Sequence, residues 1–246
     1  MIFHEVGHKA DPVISWVFEG CPMRFNVYRL SHVTRVGDPV YPGNEGPRLE
    51  QLRSIARGDS SNMWRLSFTN HIGTHVDAPN HFDDVGPKIS EFGPEELVFR
   101  DVRVVDVPKS PGEIVTAEDL ARHGQALRSS EAVLIRTGVQ RFRREAPELY
   151  SGVGVSLSVE AAKLIASYPN LRAIGIDAIS ISSPQRREVG REAHRVLLRG
   201  RRFLIVEDMD LEGKPDRYDL LLIAPLMIEQ IDSAPCTVYG IIFDRI

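Results

Sequence analysis

Short runs rich in Val, Ile and Leu constrain the fold of this chain more than any other feature. Runs of this length and composition are typical of strands that are covered on both faces. Three helices are predicted among them, one beginning at Thr116, one over 157–167, and one over 186–199 that ends at Gly200. The alternation of the two element types predicts an α/β domain. The predicted strands are 26–33, 64–70, 102–107, 132–137, 171–176, 203–206, 220–223 and 237–243.

The chain length predicts one folding unit. A chain of 246 residues can bury most of its apolar surface in one core, because single domains commonly reach about 250 residues. No internal repeat, low-complexity tract or long linker divides the sequence. Residues 1–26 lack a clear hydrophobic period. We therefore predict an amino-terminal arm or lid over 1–26 and one domain over 27–246.

Charge and cysteine content exclude several classes of protein. The 30 basic and 34 acidic side chains give a net charge of -4 without a basic block, which argues against a nucleic-acid partner. No apolar run approaches the roughly 20 residues that cross a bilayer, so no membrane partner is expected. Cys21 and Cys236 flank no motif, which suits a reduced cytoplasmic protein and excludes a thiolate metal site.

Three histidines and an aspartate are concentrated between residues 71 and 81. A helix would place His71 and His75 on one face but would turn Asp77 about 200° away from His75. Gly73 would weaken that helix, and Pro79 follows closely. A helical interpretation of this cluster is therefore poor.

A strand that continues from Trp64 explains the same cluster better. The alternation of such a strand puts an apolar set on one face and His71, His75 and Asp77 on the other. His75 and Asp77 would then be about 7 Å apart, whereas His71 would be about 13 Å from His75, too far to share one ion. A bend at Gly73 would remove that difficulty. The pattern predicts a metal site, with His81 approaching it from a loop as a proton-transfer group.

A second metal motif stands at the amino terminus. His4, Glu5 and His8 match the H-E-x-x-H pattern of zinc proteases, which requires a stable helix. Gly7 interrupts the pattern, and Pro12 follows it. A solvated arm is the preferred interpretation.

The central cluster, H-I-G-T-H-V-D-A-P-N-H over 71–81, resembles the H-x-G-T-H-x-D-x-P-x-H signature of the metal-dependent cyclase family. That family includes bacterial kynurenine formamidase (arylformamidase) and isatin hydrolase. Further segments resemble other blocks of the family, so the similarity extends over about 27–246. These segments are 28–32, 39–43, 175–180, 192–198 and 206–207.

The resemblance implies a fold, an assembly and a set of metal ligands. The fold would be the swivelling β/β/α type, assembled as a homodimer or homotetramer. One metal would be bound by the first part of the signature, and Asp77 would bridge to a second metal. His81 would transfer protons. The implied metal ligands are His71, His75, Asp77, His194 and Glu207.

The resemblance also implies a reaction on a small-molecule substrate. One or two Zn²⁺ or Mn²⁺ ions per subunit would activate water to cleave a small amide, formamide, cyclic imide or lactone. Two departures leave the substrate open. Ser182 stands where formamidases commonly carry Asp, and Asn44 stands where their proline-rich loop commonly has Asp.

Other interpretations of the same residues remain open at this stage. His75, Asp77 and a distant histidine also fit the two-His-one-carboxylate site of a non-haem iron oxygenase, although such enzymes are mainly double-sheet jelly rolls. A structural metal is a third possibility, but structural zinc sites usually close with four protein ligands that often include Cys. Asp177 either caps a turn or belongs to the site. The arginines within 136–144 are expected to form a solvated face.

Overall fold

The computed structural model describes residues 14–16 and 24–244. Within these ranges the α-helices are α1 (Ala117–Ala121), α2 (Gly124–Ser129), α3 (Phe142–Glu145), α4 (Val159–Ala166) and α5 (Arg187–Leu198). The strands are β1 (Ile14–Trp16), β2 (Phe25–Arg29), β3 (Arg48–Arg53), β4 (Met63–Ser67), β5 (His75–Asp77), β6 (Val98–Asp106), β7 (Ile114–Val115), β8 (Ala132–Arg136), β9 (Ser156–Leu157), β10 (Ala173–Ile176), β11 (Leu204–Glu207), β12 (Arg217–Pro225) and β13 (Ser233–Phe243). Single turns of 3₁₀ or π helix occupy Ile55–Arg57, Pro79–His81, Ile89–Glu91, Pro94–Leu97, Val139–Arg141, Leu149–Val153 and Pro184–Arg186.

Nine strands form one sheet that closes on itself. Their order is β1-β2-β13-β12-β6-β8-β10-β11-β5, and β13 also pairs with β5. The closure is possible because β13 is long: its first residues pair with β5 and its later residues pair with β12 and β2. Strands β6, β8, β10 and β11 are parallel, and their neighbours run antiparallel.

The parallel strands are apolar on both faces, and each face packs into a separate core. Val133 and Ile135 of β8 pack under the helices, whereas Leu134 packs inside the closed sheet. The same alternation holds in β11, where Ile205 faces the helices and Leu204 faces the interior. Continuous apolar runs are therefore required, as the sequence predicted.

Helices α4 and α5 cover the outer face of the parallel strands and pack against each other. Helix α4 begins where the Ser158 hydroxyl accepts the amide of Ala161 at 3.0 Å. The predicted capping box of Thr116 and Asp119 is confirmed at α1. Gly200, after α5, has a φ of 67°, which confirms its predicted left-handed role.

Gly190 brings α5 close to the loop that follows β10. A Cβ at residue 190 would overlap both the side chain and the Cα of Ser182. Gly190→Ala is therefore expected to lower the free energy of unfolding by about 3 kcal/mol, because the backbone of Ser182 cannot move aside as the end of a flexible side chain can. Thermal or urea unfolding measures the change. Gly124→Ala in α2 is the matched control, because its Cβ would approach only the end of the Arg128 side chain. We expect that control to be neutral or slightly stabilising, and equal stability of the two variants would contradict the packing argument.

The predicted continuous strand from Trp64 to Asp77 is wrong. Strand β4 ends at Ser67 and pairs only with β3 in a separate two-stranded sheet, whereas β5 begins at His75 and belongs to the main sheet. The chain turns between the two strands, where Gly73 has a φ of 56°. Trp64 and Leu66, on the apolar face of the predicted strand, are 52% and 59% exposed. Alternation along the segment was therefore a feature of two strands rather than one.

The predicted solvated face of arginines is partly wrong. Arg143 is buried and its Nε lies 3.0 Å from Asp208 Oδ1, while its Nη2 contacts Asp38 at 3.2 Å. Arg136 forms an ion pair with Asp106 at 2.6 Å. The carboxylates supply the charge compensation that burial of a guanidinium requires.

The amino-terminal arm or lid predicted over 1–26 lies largely outside the described residues, as do His4, Glu5 and His8. Of this segment, Ile14–Trp16 pairs antiparallel with β2 at the edge of the sheet. Within the described ranges, no helix is both long and apolar enough to span a membrane.

Candidate metal centre

Strands β5 and β11 place three of the predicted ligands side by side. In their antiparallel register His75 lies opposite Glu207, and Asp77 lies opposite Ile205. Because alternate residues share a face, His75, Asp77 and Glu207 all point toward the helices. Glu207 is also the last residue of a parallel strand, the edge at which α/β proteins commonly bind ligands.

The turn at Gly73 brings His71 back beside His75. The ring centres of His71 and His75 are 5.2 Å apart, far closer than a straight strand would allow. Gly73 has a positive φ, and a Cβ there would lie 2.8 Å from the Thr34 hydroxyl. The bend predicted at Gly73 is therefore present.

Helix α5 supplies the remaining predicted ligand from the other side. His194 is buried, with its Nε2 3.3 Å from Glu207 Oε1 and 3.8 Å from Asp77 Oδ2. His75 Nε2 lies 3.4 Å from the other Glu207 oxygen and 3.6 Å from Asp77 Oδ1. His71 Nδ1 is 3.1 Å from the same Asp77 oxygen. All five residues predicted as ligands therefore lie in one cluster around Asp77 and Glu207.

Backbone carbonyls orient two of the imidazoles. His75 Nδ1 donates to the carbonyl of Gly73 at 2.8 Å, and His194 Nδ1 donates to the carbonyl of Gly190 at 2.8 Å. Each ring thus carries a proton on Nδ1 and directs Nε2 toward the carboxylates. A partner of this kind on the far nitrogen is the usual arrangement for a metal-binding histidine.

Several buried polar atoms in the cluster lack a hydrogen-bond partner among the described residues. They are His75 Nε2 and both carboxylate oxygens of Asp77. A buried polar atom without a hydrogen-bond partner destabilises the folded protein, and the penalty is larger for a charged carboxylate oxygen. A bound cation would satisfy all three atoms, so the cluster fits a metal ion.

The separations between donor atoms fit a metal as well. Ligands about 2.05 Å from a tetrahedral zinc are about 3.4 Å from one another, and the contacts of His75 and His194 with Glu207 are 3.4 and 3.3 Å. Two groups of donors overlap at Asp77, which joins His71 and His75 in one group and His81 and His194 in the other. Asp77 is therefore the donor that these two groups share.

Both carboxylates are held in the charged form. Burial alone would raise the pKa of Asp77, but the neighbouring imidazoles of His81 and His71 lower it below its usual range. Burial would likewise raise the pKa of Glu207, which hydrogen bonds from His194 and His75 hold well below its usual value. Anionic oxygen donors are therefore available at neutral pH.

The Glu207 carboxylate is oriented by the loop after β10. Its Oε1 accepts the hydroxyl of Ser180 at 2.9 Å and the amide of Ile181 at 2.7 Å. Asp177, at the start of this loop, accepts the amides of Thr137 and Gly138 at 2.8 and 2.7 Å. Asp177 thus caps the turn that follows β8. Of the two roles that the sequence allowed for Asp177, the structure shows the turn cap.

His81 lies beside the cluster on the single helical turn Pro79–His81. Its ring centre is 4.2 Å from that of His71 and 5.8 Å from that of His194. His81 Nδ1 lies 2.6 Å from Asp232 Oδ2, so this nitrogen is held by a carboxylate outside the predicted ligand set. The second ring nitrogen is left for other partners.

Asp232 is a site residue that the sequence interpretation missed. The same Oδ2 lies 3.1 Å from His71 Nε2, and Asn70 donates to the other oxygen at 2.7 Å. Burial would raise the pKa of Asp232, but the hydrogen bonds of His71 and His81 hold it well below its usual range. Asp232 follows the cluster by about 150 residues and belongs to no recognisable spacing, so only the closure of β13 onto β5 reveals its role.

Asp232→Asn is expected to lower kcat by roughly 10–100-fold, the cost typical of losing an outer hydrogen-bond partner in a metal site. The amide removes the charge that orients His71 and His81, while all five predicted ligands stay in place. Steady-state kinetics and metal analysis measure the effect. Asp216→Asn, a change at an exposed carboxylate that is paired with Arg136, is the control. Wild-type turnover in the Asp232 variant would show that this carboxylate does not position the imidazoles.

A pocket opens above the cluster. Its apolar wall is formed by Tyr41, Phe82 and Ile179, and Phe82 stacks on His194 with ring centres 4.7 Å apart. The two positions that depart from the formamidase pattern, Asn44 and Ser182, both line it. The departures therefore lie where they can change the shape of the substrate site.

Comparison with known proteins gives consistent results. Residues 28–183 match the family model named Cyclase. Kynurenine formamidase of Maricaulis maris is 28% identical over 209 residues, which cover 85% of this chain and 94% of the relative. Isatin hydrolase A from Labrenzia aggregata, bound to benzyl benzoate, superposes with a TM-score of 0.77 at 22% identity, covering 89% of this chain and 94% of that one. A predicted metal-dependent hydrolase from Bacillus stearothermophilus gives a TM-score of 0.71 at 24% identity over 88% and 98% of the two chains. These likenesses confirm the predicted fold.

Proposed function

Because this chain belongs to the Cyclase family, we propose that it is a metal-dependent hydrolase of the arylformamidase type. The substrate is a small amide, formamide, cyclic imide or lactone. The close clustering of His75, Asp77, His194 and Glu207, with buried donor atoms left unsatisfied, is the observation that carries this proposal. Kynurenine formamidase and isatin hydrolase among the similar proteins support the same class of reaction.

We propose one or two Zn²⁺ or Mn²⁺ ions as the cofactor. His71, His75 and Asp77 would hold one ion, and Asp77, His194 and Glu207 would hold the other. Imidazole and carboxylate donors without sulfur suit both metals. A bound ion of this kind supplies a water molecule with a pKa near 7 and polarises the scissile carbonyl.

The chain's own residues perform the proton transfers and position the substrate. His81, oriented through Nδ1 by Asp232, accepts the proton of the attacking water at Nε2 and delivers it to the leaving nitrogen or oxygen. The Asp232 carboxylate stabilises the positive charge that this imidazole acquires. Tyr41 and Phe82 hold the apolar part of the substrate and exclude bulk water.

A hydrolysis screen tests the proposal. Metal-reconstituted protein is incubated with N-formylkynurenine, isatin, cyclic imides and lactones, and its metal content is measured in parallel. We expect hydrolysis of at least one class at a rate that follows metal content. Stoichiometric metal with no hydrolysis of any class would contradict the assignment.

The non-haem iron oxygenase has no observation in its favour. The closed sheet with parallel strands and covering helices differs from the double-sheet jelly roll typical of such enzymes. The cluster also contains His71 and His81, which a two-His-one-carboxylate site does not require. Oxygen consumption by the Fe²⁺-loaded protein would favour the oxygenase over the hydrolase.

We further propose that the chain forms a homodimer or homotetramer. The β3–β4 hairpin pairs with no other described strand, and a two-stranded sheet is at best marginal in water. A cluster of apolar side chains is exposed on it and beside it, as expected of a surface covered by a second copy. These side chains are Leu49, Leu52, Ile55, Met63, Trp64 and Leu66. The absence of a nucleic-acid partner and the cytoplasmic location stay predictions from the sequence.

The double change Trp64→Ser/Leu66→Ser is expected to convert the oligomer to monomer, because it removes the two most exposed apolar side chains of β4. Light scattering coupled to gel filtration measures the mass. Val85→Ser is the control, since Val85 is a solitary apolar residue that is 93% exposed. An unchanged mass in the double variant would place the subunit interface elsewhere.

A further inference from the structure

The loop of residues 38–44, called the pocket loop below, forms one side of the pocket. Four of its residues line the pocket, and these are Pro39, Val40, Tyr41 and Asn44. Among the described residues, the backbone of 39–44 makes no hydrogen bond to another segment, and the amide of Asn44 bonds within the loop to the carbonyl of Tyr41 at 3.0 Å. The position of the pocket loop therefore depends on its side chains.

Arg143 binds the first residue of the pocket loop. Its Nη2 lies 3.2 Å from Asp38 Oδ2, and the two side chains are only 4% and 13% exposed. An ion pair that is shielded from solvent in this way is stronger than an exposed one. At the other end of the loop, the Asn44 side chain donates to the carbonyl of His71 at 3.4 Å, which is long for a hydrogen bond. The contact with Arg143 is therefore the stronger of these two attachments.

The same guanidinium is held on its other side by Asp208. Arg143 Nε lies 3.0 Å from Asp208 Oδ1, and Arg143 Nη2 lies 3.1 Å from Asp208 Oδ2. Two parallel bonds of this kind fix the orientation of a guanidinium. The Tyr150 hydroxyl donates to the same carboxylate. Burial alone would lower the pKa of Arg143, but Asp208 and Asp38 raise it above its usual value, so the guanidinium stays charged.

Asp208 lies at the junction of the two strands that carry metal ligands. It directly follows Glu207 of β11, with a φ of 53° that aspartate tolerates better than most residues. Its carbonyl accepts the hydroxyl of Thr74, the residue before His75 of β5. Arg143 therefore connects the pocket loop to the frame that holds the metal cluster.

We propose that Arg143 is a positioning residue, which holds the pocket loop against the junction of β5 and β11 and so keeps Tyr41 in place to receive the substrate. This inference rests on the proposed hydrolase function. Release of the loop lowers substrate affinity, because only the fraction of molecules with the loop in place binds the substrate well. Arg143 does not line the pocket. Metal content and the chemical step should therefore not depend on it.

The variant Asp38→Ala separates this role from a purely structural one. It removes the contact at the loop and leaves the pair of Arg143 and Asp208 in place. The amide of Arg35, which also contacts Asp38, is exposed and can bind water instead. The substrate is whichever of formanilide, phthalimide and dihydrocoumarin the wild type hydrolyses fastest. We expect KM to rise about tenfold, as loss of one charged hydrogen bond allows, while kcat and metal content stay within about twofold of wild type.

Asp216→Ala is the matched control. Arg136 binds Asp106 through two hydrogen bonds and Asp216 through one, as Arg143 binds Asp208 and Asp38. That group lies outside the pocket lining, so KM should be unchanged. An unchanged KM in Asp38→Ala, or equal losses of kcat in Asp38→Ala and in the control, would overturn the positioning role.

Arg143→Lys tests whether the two side chains act as one unit. Lysine keeps the positive charge beside Asp208 but lacks the planar fork that also reaches Asp38. We expect this variant to reproduce the KM of Asp38→Ala, and the double variant to raise KM no further than either single change. Independent effects that multiply in the double variant would show that Arg143 does not act through Asp38.

NMR of metal-loaded protein labelled with 3-fluorotyrosine observes the loop without turnover. The ¹⁹F resonance of Tyr41 is identified by its loss in Tyr41→Phe. It should be single and narrow in wild type and in Asp216→Ala, and shifted or broadened in Asp38→Ala. An identical resonance in all three proteins would overturn the proposal. A changed resonance in a protein that hydrolyses none of the three substrates would support the role of Arg143 in holding the loop and contradict the hydrolase.

Discussion

Asp77→Asn is expected to abolish both metal binding and hydrolysis. Asp77 is fully buried, and its two oxygens face His71 and His75 on one side and His194 on the other without accepting a hydrogen bond. The amide keeps the shape of the side chain but removes the charge and one oxygen donor. The loss should exceed the roughly 10–100-fold that follows from losing an outer hydrogen-bond partner. Elemental analysis and steady-state kinetics measure the two effects.

Asp177→Asn is the matched control for that change. Asp177 is as deeply buried, but its oxygens accept the amides of Thr137 and Gly138. We expect the control to lower stability by about 1–3 kcal/mol, because the new amide cannot accept all of those hydrogen bonds, and to retain its metal. If Asp77→Asn kept a full complement of metal, the assignment of Asp77 as the shared ligand would be wrong.

His81→Ala is expected to lower kcat by about 10²–10⁴-fold and to leave metal content near that of wild type. His81 is held through Nδ1 by Asp232, an arrangement that suits a base with its other nitrogen free. The proposed ligands are untouched by the change. Added imidazole should restore part of the activity, since the space of the missing ring opens onto the pocket.

His123→Ala controls for loss of a histidine as such, because the His123 ring hydrogen-bonds to the backbone carbonyl of Asp106 and does not line the pocket. The role of His81 is decided by comparing the metal content of His81→Ala with its turnover rate. His81 lies within ligand distance of Asp77 and His194, so a parallel loss of metal and turnover in His81→Ala would make it a ligand instead of a proton-transfer group.

The local part of the site could be predicted from the sequence. The alternation of side chains along a strand correctly put His75 and Asp77 on one face. The distance between His71 and His75 along a straight strand required a bend, and Gly73 makes it. These relations depend only on backbone geometry over a few residues. His194 and Glu207 came from resemblance alone, because their approach depends on how α5 packs on β11.

The features that the sequence did not predict depend on contacts between residues far apart in the chain. Asp232 reaches His71 and His81 only because β13 closes the sheet onto β5. The hairpin of β3 and β4 was missed because Trp64 and Leu66 continue the apolar face of the predicted strand, and nothing local distinguishes a core residue from an apolar surface residue. Arg143 was expected in solvent, whereas its partner Asp208 is 65 residues away in sequence.

Titration of metal into demetallated protein tests the central claim most directly. The protein is stripped with a chelator, Zn²⁺ or Mn²⁺ is added back in known amounts, and the initial rate of hydrolysis is recorded at each step for an amide, a formamide, a cyclic imide and a lactone. We predict no hydrolysis without metal and a rate that rises to saturation at one or two equivalents per chain. Full turnover by the stripped protein, or saturation with metal without any turnover, would contradict the account.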